Sequence, residues 1–164
     1  MGDSSVPSST DLEWLRYAID LSKKSKEGGN HPFGAVLVGD DGKILLEAMN
    51  TCNTKADSTG HAERNLMTSA SKSLSALVLS KSCMYTSAEP CAMCTGAAYW
   101  TGVGRIVYGL SERRLLAIIG PHPDNLCLDM PCRNILSTGQ REIEVVGPLL
   151  EDEAAEPHIG FWTT

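Results

Sequence analysis

The stretch His61-Ala62-Glu63, taken together with Pro90-Cys91-Ala92-Met93-Cys94, determines how the rest of this 164-residue chain is interpreted. It supplies one imidazole, a carboxylate two residues later, and two thiols three residues apart. A catalytic zinc ion takes three protein ligands and keeps its fourth tetrahedral position open. The imidazole and the two thiols make up such a set. The stretch therefore predicts one zinc ion per chain, with Glu63 free to act as a general base beside it.

The predicted local structure favours the same site. Ser58-Thr59 offers a cap for a helix whose first turn holds His61, and Pro90 suits the first position of a second helix. Cys91 and Cys94 would then lie on one face at the start of that helix, where the helix dipole favours thiolates. The spacing predicts that His61, Cys91 and Cys94 are the metal ligands.

The same residue types, and a C-x-x-C pair alone, also occur in redox sites and in structural zinc sites. A structural zinc ion has four protein ligands, and the sequence has no second C-x-x-C or C-x-x-H pair to complete such a set. A noncatalytic, zinc-stabilised interaction domain would also have no use for Glu63. The combination therefore favours a catalytic site.

Length and composition predict a single domain at residues 10–164, preceded by a disordered Ser-rich segment at 1–9. The net charge is −6, from 14 Lys+Arg and 20 Asp+Glu, and no Lys or Arg follows Arg141. This balance disfavours a nucleic-acid partner. No apolar run is long enough to span a membrane, and the first ten residues have no signal or transit pattern. We expect a cytoplasmic protein whose cysteines are free thiols or metal ligands.

The hydrophobic pattern predicts alternating strands and helices. Thr10 and Glu13 form a candidate capping box for the first helix. Asp40-Asp41-Gly42 is a hairpin turn between two apolar strands. The order strand, helix, strand over residues 82–108 is a βαβ unit, which predicts two parallel strands. The loop at 119–133 is long enough to indicate a functional role.

Three segments resemble the cytidine deaminase-like superfamily, and within it the bacterial guanine deaminases and fungal cytosine deaminases. They are Gly28–Val36, His61-Ala62-Glu63 and Tyr85–Cys94, and the resemblance covers roughly residues 28–110. It implies an α/β fold, a three-layer αβα sandwich with a five-stranded mixed sheet flanked by helices, and a homodimer. It also implies zinc-dependent hydrolytic deamination, in which Glu63 moves protons and ammonia is released.

Four further residues are predicted to contact the substrate. Asn50 falls where the superfamily has an Asn after the second strand, and its amide both donates and accepts hydrogen bonds. A turn residue is the other interpretation of Asn50. Phe33 and Trp100 are aromatic groups that can stack on a flat ring, although each is also typical of a core. Ala62 lies inside the matched zinc motif.

The substrate stays open within one chemical class, a small heterocyclic amine. Guanine leads, because Pro32-Phe33-Gly34 and Tyr99-Trp100 are similar to the purine-acting members. Cytosine, isocytosine, an aminotriazine and guanosine are alternatives. A tRNA adenosine deaminase shares every motif but is disfavoured by the acidic charge balance. The resemblance weakens after residue 110, so the roles of the 119–133 loop and of the Phe161-Trp162 tail, lid or anchor, stay open.

Overall fold

The structure is a computed structural model that describes residues 6–163, and its centre is a five-stranded mixed sheet. The strands are β1 (Gly34–Val38), β2 (Ile44–Met49), β3 (Cys83–Ala88), β4 (Arg105–Leu110) and β5 (Glu144–Val146). Their order across the sheet is β2-β1-β3-β4-β5. β1 pairs antiparallel with β2 and β3, whereas β4 is parallel to both β3 and β5. The predicted mixed sheet is confirmed.

Seven α-helices within residues 6–163 flank this sheet. They are α1 (Ser9–Glu27), α2 (Ala62–Ser73), α3 (Ala76–Ser80), α4 (Ala92–Thr101), α5 (Glu112–Ile119), α6 (Cys132–Leu136) and α7 (Glu151–Ala155). A short 3₁₀ turn, Glu156–His158, follows α7. None of the helices described is both long enough and apolar enough to cross a membrane.

Alternate residues of β1 pack against opposite helical layers. Ala35 and Leu37 face a core that includes Leu66 of α2 and Ala98 of α4. Val36 faces the other core, together with residues of α1. This alternation is the period of two expected for a strand with both faces buried. The predicted α/β class and three-layer αβα sandwich are confirmed.

The first helix begins with a different capping box from the predicted one. The Ser8 hydroxyl accepts a hydrogen bond from the Asp11 amide at 3.0 Å, and the Asp11 carboxylate accepts one from the Ser8 amide at 2.9 Å. The predicted Thr10–Glu13 box is therefore wrong, because Thr10 is already inside the helix. Of the segment 1–9 predicted to be disordered, residues 1–5 lie outside the described part of the chain.

The predicted hairpin and βαβ unit are both present. Gly42, with φ +76°, completes the turn between β1 and β2, and its amide donates to the Gly39 carbonyl at 3.0 Å. β3, α4 and β4 follow one another, and Cys83 pairs in parallel with Arg105. This unit places the start of α4 at the carboxyl end of β3.

The C-terminal tail is anchored to the core. Trp162 is buried and packs in a cluster with Leu15 and Leu115. Its indole Nε1 donates to His158 Nδ1 at 3.1 Å, and the two rings are stacked at an interplanar angle of 10°. Lys26 Nζ also donates to the Pro157 carbonyl at 2.9 Å. Of the two roles left open for the Phe161-Trp162 tail, these contacts favour an anchor.

Candidate active site

Functional side chains gather at one edge of the sheet. β2, β3 and β4 end there, and the antiparallel β1 begins there. Asn50 follows β2, Phe33 precedes β1, Glu89 follows β3, and Glu112 follows β4. All four line a cavity of about 630 Å³, a volume typical of small-molecule sites.

The candidate ligands lie at the starts of two helices. His61 is the N-cap of α2 and Cys91 the N-cap of α4, and neither side chain makes a capping hydrogen bond. The predicted cap at Ser58-Thr59 and the helical position of Pro90 are therefore wrong. The imidazole and the thiol stay free because they do not cap their own helices. Cys94 follows in the first turn of α4.

The three ligand atoms are spaced as a tetrahedral zinc site requires. His61 Nδ1 lies 3.5 Å from Cys91 Sγ and 3.6 Å from Cys94 Sγ. Zn–S and Zn–N bonds of standard length at a tetrahedral angle give an N···S separation of about 3.6 Å. Hydrogen bonds from Cys94 and His61 lower the pKa of Cys91, and a thiolate is the form that binds metal. The residues present fit zinc.

Glu63 lies in the first turn of α2 and is only 4% exposed. Burial raises the pKa of its carboxyl. The Thr86 hydroxyl lies 3.0 Å from Glu63 Oε1 and also 3.0 Å from the Ala88 carbonyl oxygen. A hydroxyl has one proton to donate and lone pairs to accept with. Thr86 can therefore donate to a Glu63 carboxylate, or accept from the protonated acid while donating to Ala88.

Two of the four predicted substrate residues line the cavity. Asn50 and Phe33 do so beside His61 and Glu63. Ala62 is fully buried in the core under α2 and is not part of the cavity wall. Trp100 is 86% exposed and lies outside the cavity, against the outer faces of α2 and α4. The predicted contact of Trp100 with the substrate stays a prediction, since this side chain is not part of the described cavity wall.

Glu112 and Cys127 are among the cavity residues that the sequence interpretation missed. Glu112 is the first residue of α5, directly after β4. Its position after a parallel strand was a usable signal, since ligand sites in α/β sheets lie at the carboxyl ends of strands. Cys127 belongs to the 119–133 loop, of which residues 123–128 line the cavity.

The cavity wall is acidic. Glu63, Glu89, Glu112 and Asp124 all line it, and none of the described residues in the wall is Lys or Arg. Both Glu89 oxygens accept backbone hydrogen bonds, from the amides of Glu112 at 3.0 Å and Cys132 at 2.9 Å. Glu89 thereby fixes the starts of two helices, whereas Glu112 keeps its carboxyl toward the cavity.

A family model for the cytidine and deoxycytidylate deaminase zinc-binding region matches residues 8–110. A probable cytosine deaminase of Schizosaccharomyces pombe is 39% identical over 155 residues, which are 94% of this chain and 94% of that protein. A tRNA-specific adenosine deaminase of Haemophilus influenzae is 36% identical over 118 residues, 72% of this chain and 68% of that protein.

A solved structure agrees with these sequence matches. The X-ray structure of guanine deaminase from Bacillus subtilis has a TM-score of 0.60 to this chain at 36% identity. The match covers 65% of this chain and 68% of that one. The names of the similar proteins share deamination and differ in the ring that is deaminated.

Proposed function

The chain belongs to the zinc-dependent cytidine and deoxycytidylate deaminase family, and we propose that it hydrolyses the amine of a free nucleobase to release ammonia. The observation that supports this substrate class is the acidic cavity beside His61, Cys91 and Cys94, whose described lining has no Lys or Arg. Phosphate is normally held by Arg, Lys or clustered backbone amides. The wall therefore favours a neutral heterocycle over a nucleotide.

The proposed metal ligands are His61, Cys91 and Cys94, with one zinc ion per chain. Bound zinc supplies Lewis-acid activation of water near neutral pH. Glu63 accepts a proton from the attacking water and returns it to the ring nitrogen. A second proton then reaches the leaving amine through the same carboxyl, so that water and the amine become a ring carbonyl and ammonia. Thr86 orients the Glu63 carboxyl in both protonation states.

Asn50 and Phe33 are proposed to hold the ring. Phe33 is partly buried and packs edge-on against His158, with ring centroids 5.1 Å apart. The Asn50 side-chain oxygen accepts from the Cys52 amide at 3.0 Å, which fixes the amide group at the cavity wall. We also propose a single domain at residues 10–164, a homodimer and a cytoplasmic location.

Two rings lead within this class. Guanine is favoured by the similarity of Pro32-Phe33-Gly34 to the purine-acting members. Trp100 belongs to the second similar segment, Tyr99-Trp100, but lies outside the cavity. Cytosine is favoured by the match to the fungal relative along 94% of the chain. The two candidates require the same chemistry at Glu63.

Ammonia release from guanine, cytosine, isocytosine and guanosine, set beside inosine formation in tRNA, tests the proposal. We expect turnover of at least one free base and none of tRNA. Salt-sensitive tRNA editing without turnover of any small base would contradict the proposal.

Zinc analysis of Cys91→Ala tests the ligand set: zinc should be largely lost, and a full equivalent retained would refute it.

A further inference from the structure

One buried carboxyl at the cavity has no part in the proton transfers. Glu112 is 6% exposed and lines the same cavity as Glu63. It is the first residue of α5, one residue after Ser111, which follows the end of β4. A buried carboxyl is costly unless a partner hydrogen-bonds it, so its presence in the wall requires an explanation.

The backbone of Glu112 is held firmly while its side chain is left available. The Glu112 amide donates to Glu89 Oε2 at 3.0 Å. The hydroxyl of Ser111, the N-cap of α5, accepts from the Arg114 amide at 3.3 Å. The side chain beside the Glu112 carboxyl is the Cys127 thiol, a weak donor. The backbone at this position is held by hydrogen bonds, and the carboxyl lines the cavity with only a weak donor beside it.

Among the described residues, no Lys or Arg side chain of the cavity wall compensates the charge of this carboxyl. Burial raises the pKa of Glu112 to about 7, and the nearby carboxyls of Glu89 and Glu63 act in the same direction. A donor on a bound ligand would satisfy the carboxyl.

Asn50 and Glu112 approach the cavity from opposite flanks. Asn50 follows β2 and Glu112 follows β4, with β1 and β3 between them. Three strand spacings are about 14 Å, and both residues line the cavity that lies at the ends of these strands. A ring that presents its reacting carbon to Glu63 in this cavity therefore has Asn50 and Glu112 as polar neighbours.

We propose that Glu112 is a specificity-determining residue whose carboxyl accepts a hydrogen bond from the ring N–H that carries the sugar in a nucleoside. The inference rests on the proposed function, and it deepens that function by selecting free bases against nucleosides. A free base has this N–H to donate, whereas N-glycosylation or N-methylation removes it. The substituted ring then leaves a buried carboxyl without its donor, which costs more than the bond alone contributed.

Matched substrate pairs test this role, namely guanine with 9-methylguanine and cytosine with 1-methylcytosine. We expect wild-type kcat/KM for the base to exceed that for its methyl derivative by about 10- to 100-fold, the range for a hydrogen bond to a charged group. Glu112→Leu removes the acceptor and should bring the ratio to within about threefold of unity. Glu112→Gln keeps a neutral acceptor and should give an intermediate ratio.

Glu142→Gln is the matched control, because it removes the same charge from an exposed position, and it should leave the ratio unchanged. Zinc content and thermal unfolding establish that each variant is folded, and Glu112→Gln decides the matter where Glu112→Leu does not fold. An unchanged ratio in a folded Glu112 variant, or equal wild-type turnover of base and methyl derivative, overturns the assignment of Glu112 alone. No ammonia from any heterocycle overturns the proposed function and this assignment with it.

Discussion

The two ends of β4 place buried carboxyl groups in opposite electrostatic surroundings. At its start, Arg105 makes two hydrogen bonds to Asp11, at 2.6 and 3.0 Å, and the Tyr85 hydroxyl donates a third at 2.9 Å. At its end, about 20 Å away along the strand, Glu112 faces a cavity whose described wall has no Lys or Arg.

The difference separates structural carboxyls from functional ones. Burial raises the pKa of Asp11, but the hydrogen bonds from Arg105, the Ser8 amide and Tyr85 outweigh it and hold that pKa well below its usual range. Burial raises the pKa of Glu112 to about 7 without such compensation. A satisfied carboxyl stabilises the fold, whereas an unsatisfied one at a cavity is available to a ligand or a proton.

The largest expected effect is at Glu63, the carboxyl that moves protons. Glu63→Gln keeps the shape of the side chain but cannot accept a proton, so turnover of the preferred base should fall by ~10⁴ or more. Steady-state ammonia release measures this, with zinc content and circular dichroism unchanged from wild type. Activity within about tenfold of wild type would remove Glu63 from the mechanism.

The next largest effect is expected at the paired carboxyl, and it falls on stability. Asp11→Asn leaves Arg105 without its main partner and should cost about 3 kcal/mol at pH 7. The pKa of Asp11 is lowered on folding, so its contribution is present above the unfolded-state pKa and is lost as pH falls. Urea unfolding from pH 7 down to pH 2 should show a difference from wild type that is nearly constant to about pH 4 and shrinks below it. A large loss of kcat in folded Asp11→Asn would contradict the assignment of Asp11 to stability and of the carboxyl at the other end of β4 to function.

A smaller effect, of opposite sign, is expected at the unpaired carboxyl. Folding raises the pKa of Glu112 from 4.5 to about 7, so the folded chain binds the proton more tightly and loses stability as pH rises across that interval. Glu112→Gln removes this loss and should be more stable than wild type at pH 8, by on the order of 2 kcal/mol. The advantage should shrink at pH 5, and urea midpoints compared with Glu142→Gln measure it. An advantage that is independent of pH would show that ionisation is not its cause.

The smallest effect is expected at a carboxyl that is paired but exposed. Glu153 accepts two hydrogen bonds from Arg16, at 2.9 and 3.0 Å, on the surface between α7 and α1. Water and salt screen such pairs. Glu153→Gln should therefore shift Tm by less than about 2 °C. A shift as large as that of Asp11→Asn would mean that burial is not what distinguishes the two pairs.

Much of the fold could be predicted from sequence because its signals are local. The turn at Asp40-Asp41-Gly42 and the βαβ order over residues 82–108 each depend on neighbouring residues. Helix starts were less predictable. Ser8, Ser9 and Thr10 all offer a hydroxyl, and the choice depends on Asp11, which also binds Arg105 from a distant strand. A contact across 94 residues leaves no local trace in the sequence.

The site was partly predictable for the same reason. His61, Cys91 and Cys94 follow a spacing that metal chemistry imposes, and they do meet. Helical geometry indicates that Trp100 does not face the cavity. It lies six residues after the buried Cys94, about 240° around α4, and so it faces away from the side that holds Cys94. Glu112 was missed because a lone Glu at a helix start is typical of a capped surface helix. Only the strand order shows that this helix start lies at the cavity.

The stacked Trp162 has a spectroscopic consequence. The chain has three tryptophans. Trp162 is 6% exposed and its ring lies 5.0 Å from that of His31 in the cavity wall, whereas Trp100 is 86% exposed. Iodide will quench the emission of Trp100 most strongly and that of the half-buried Trp14 less, while leaving the shorter-wavelength emission of Trp162. A heterocycle entering beside His31 will alter that residual signal, so the chain has a built-in optical reporter of cavity occupancy that needs no added dye.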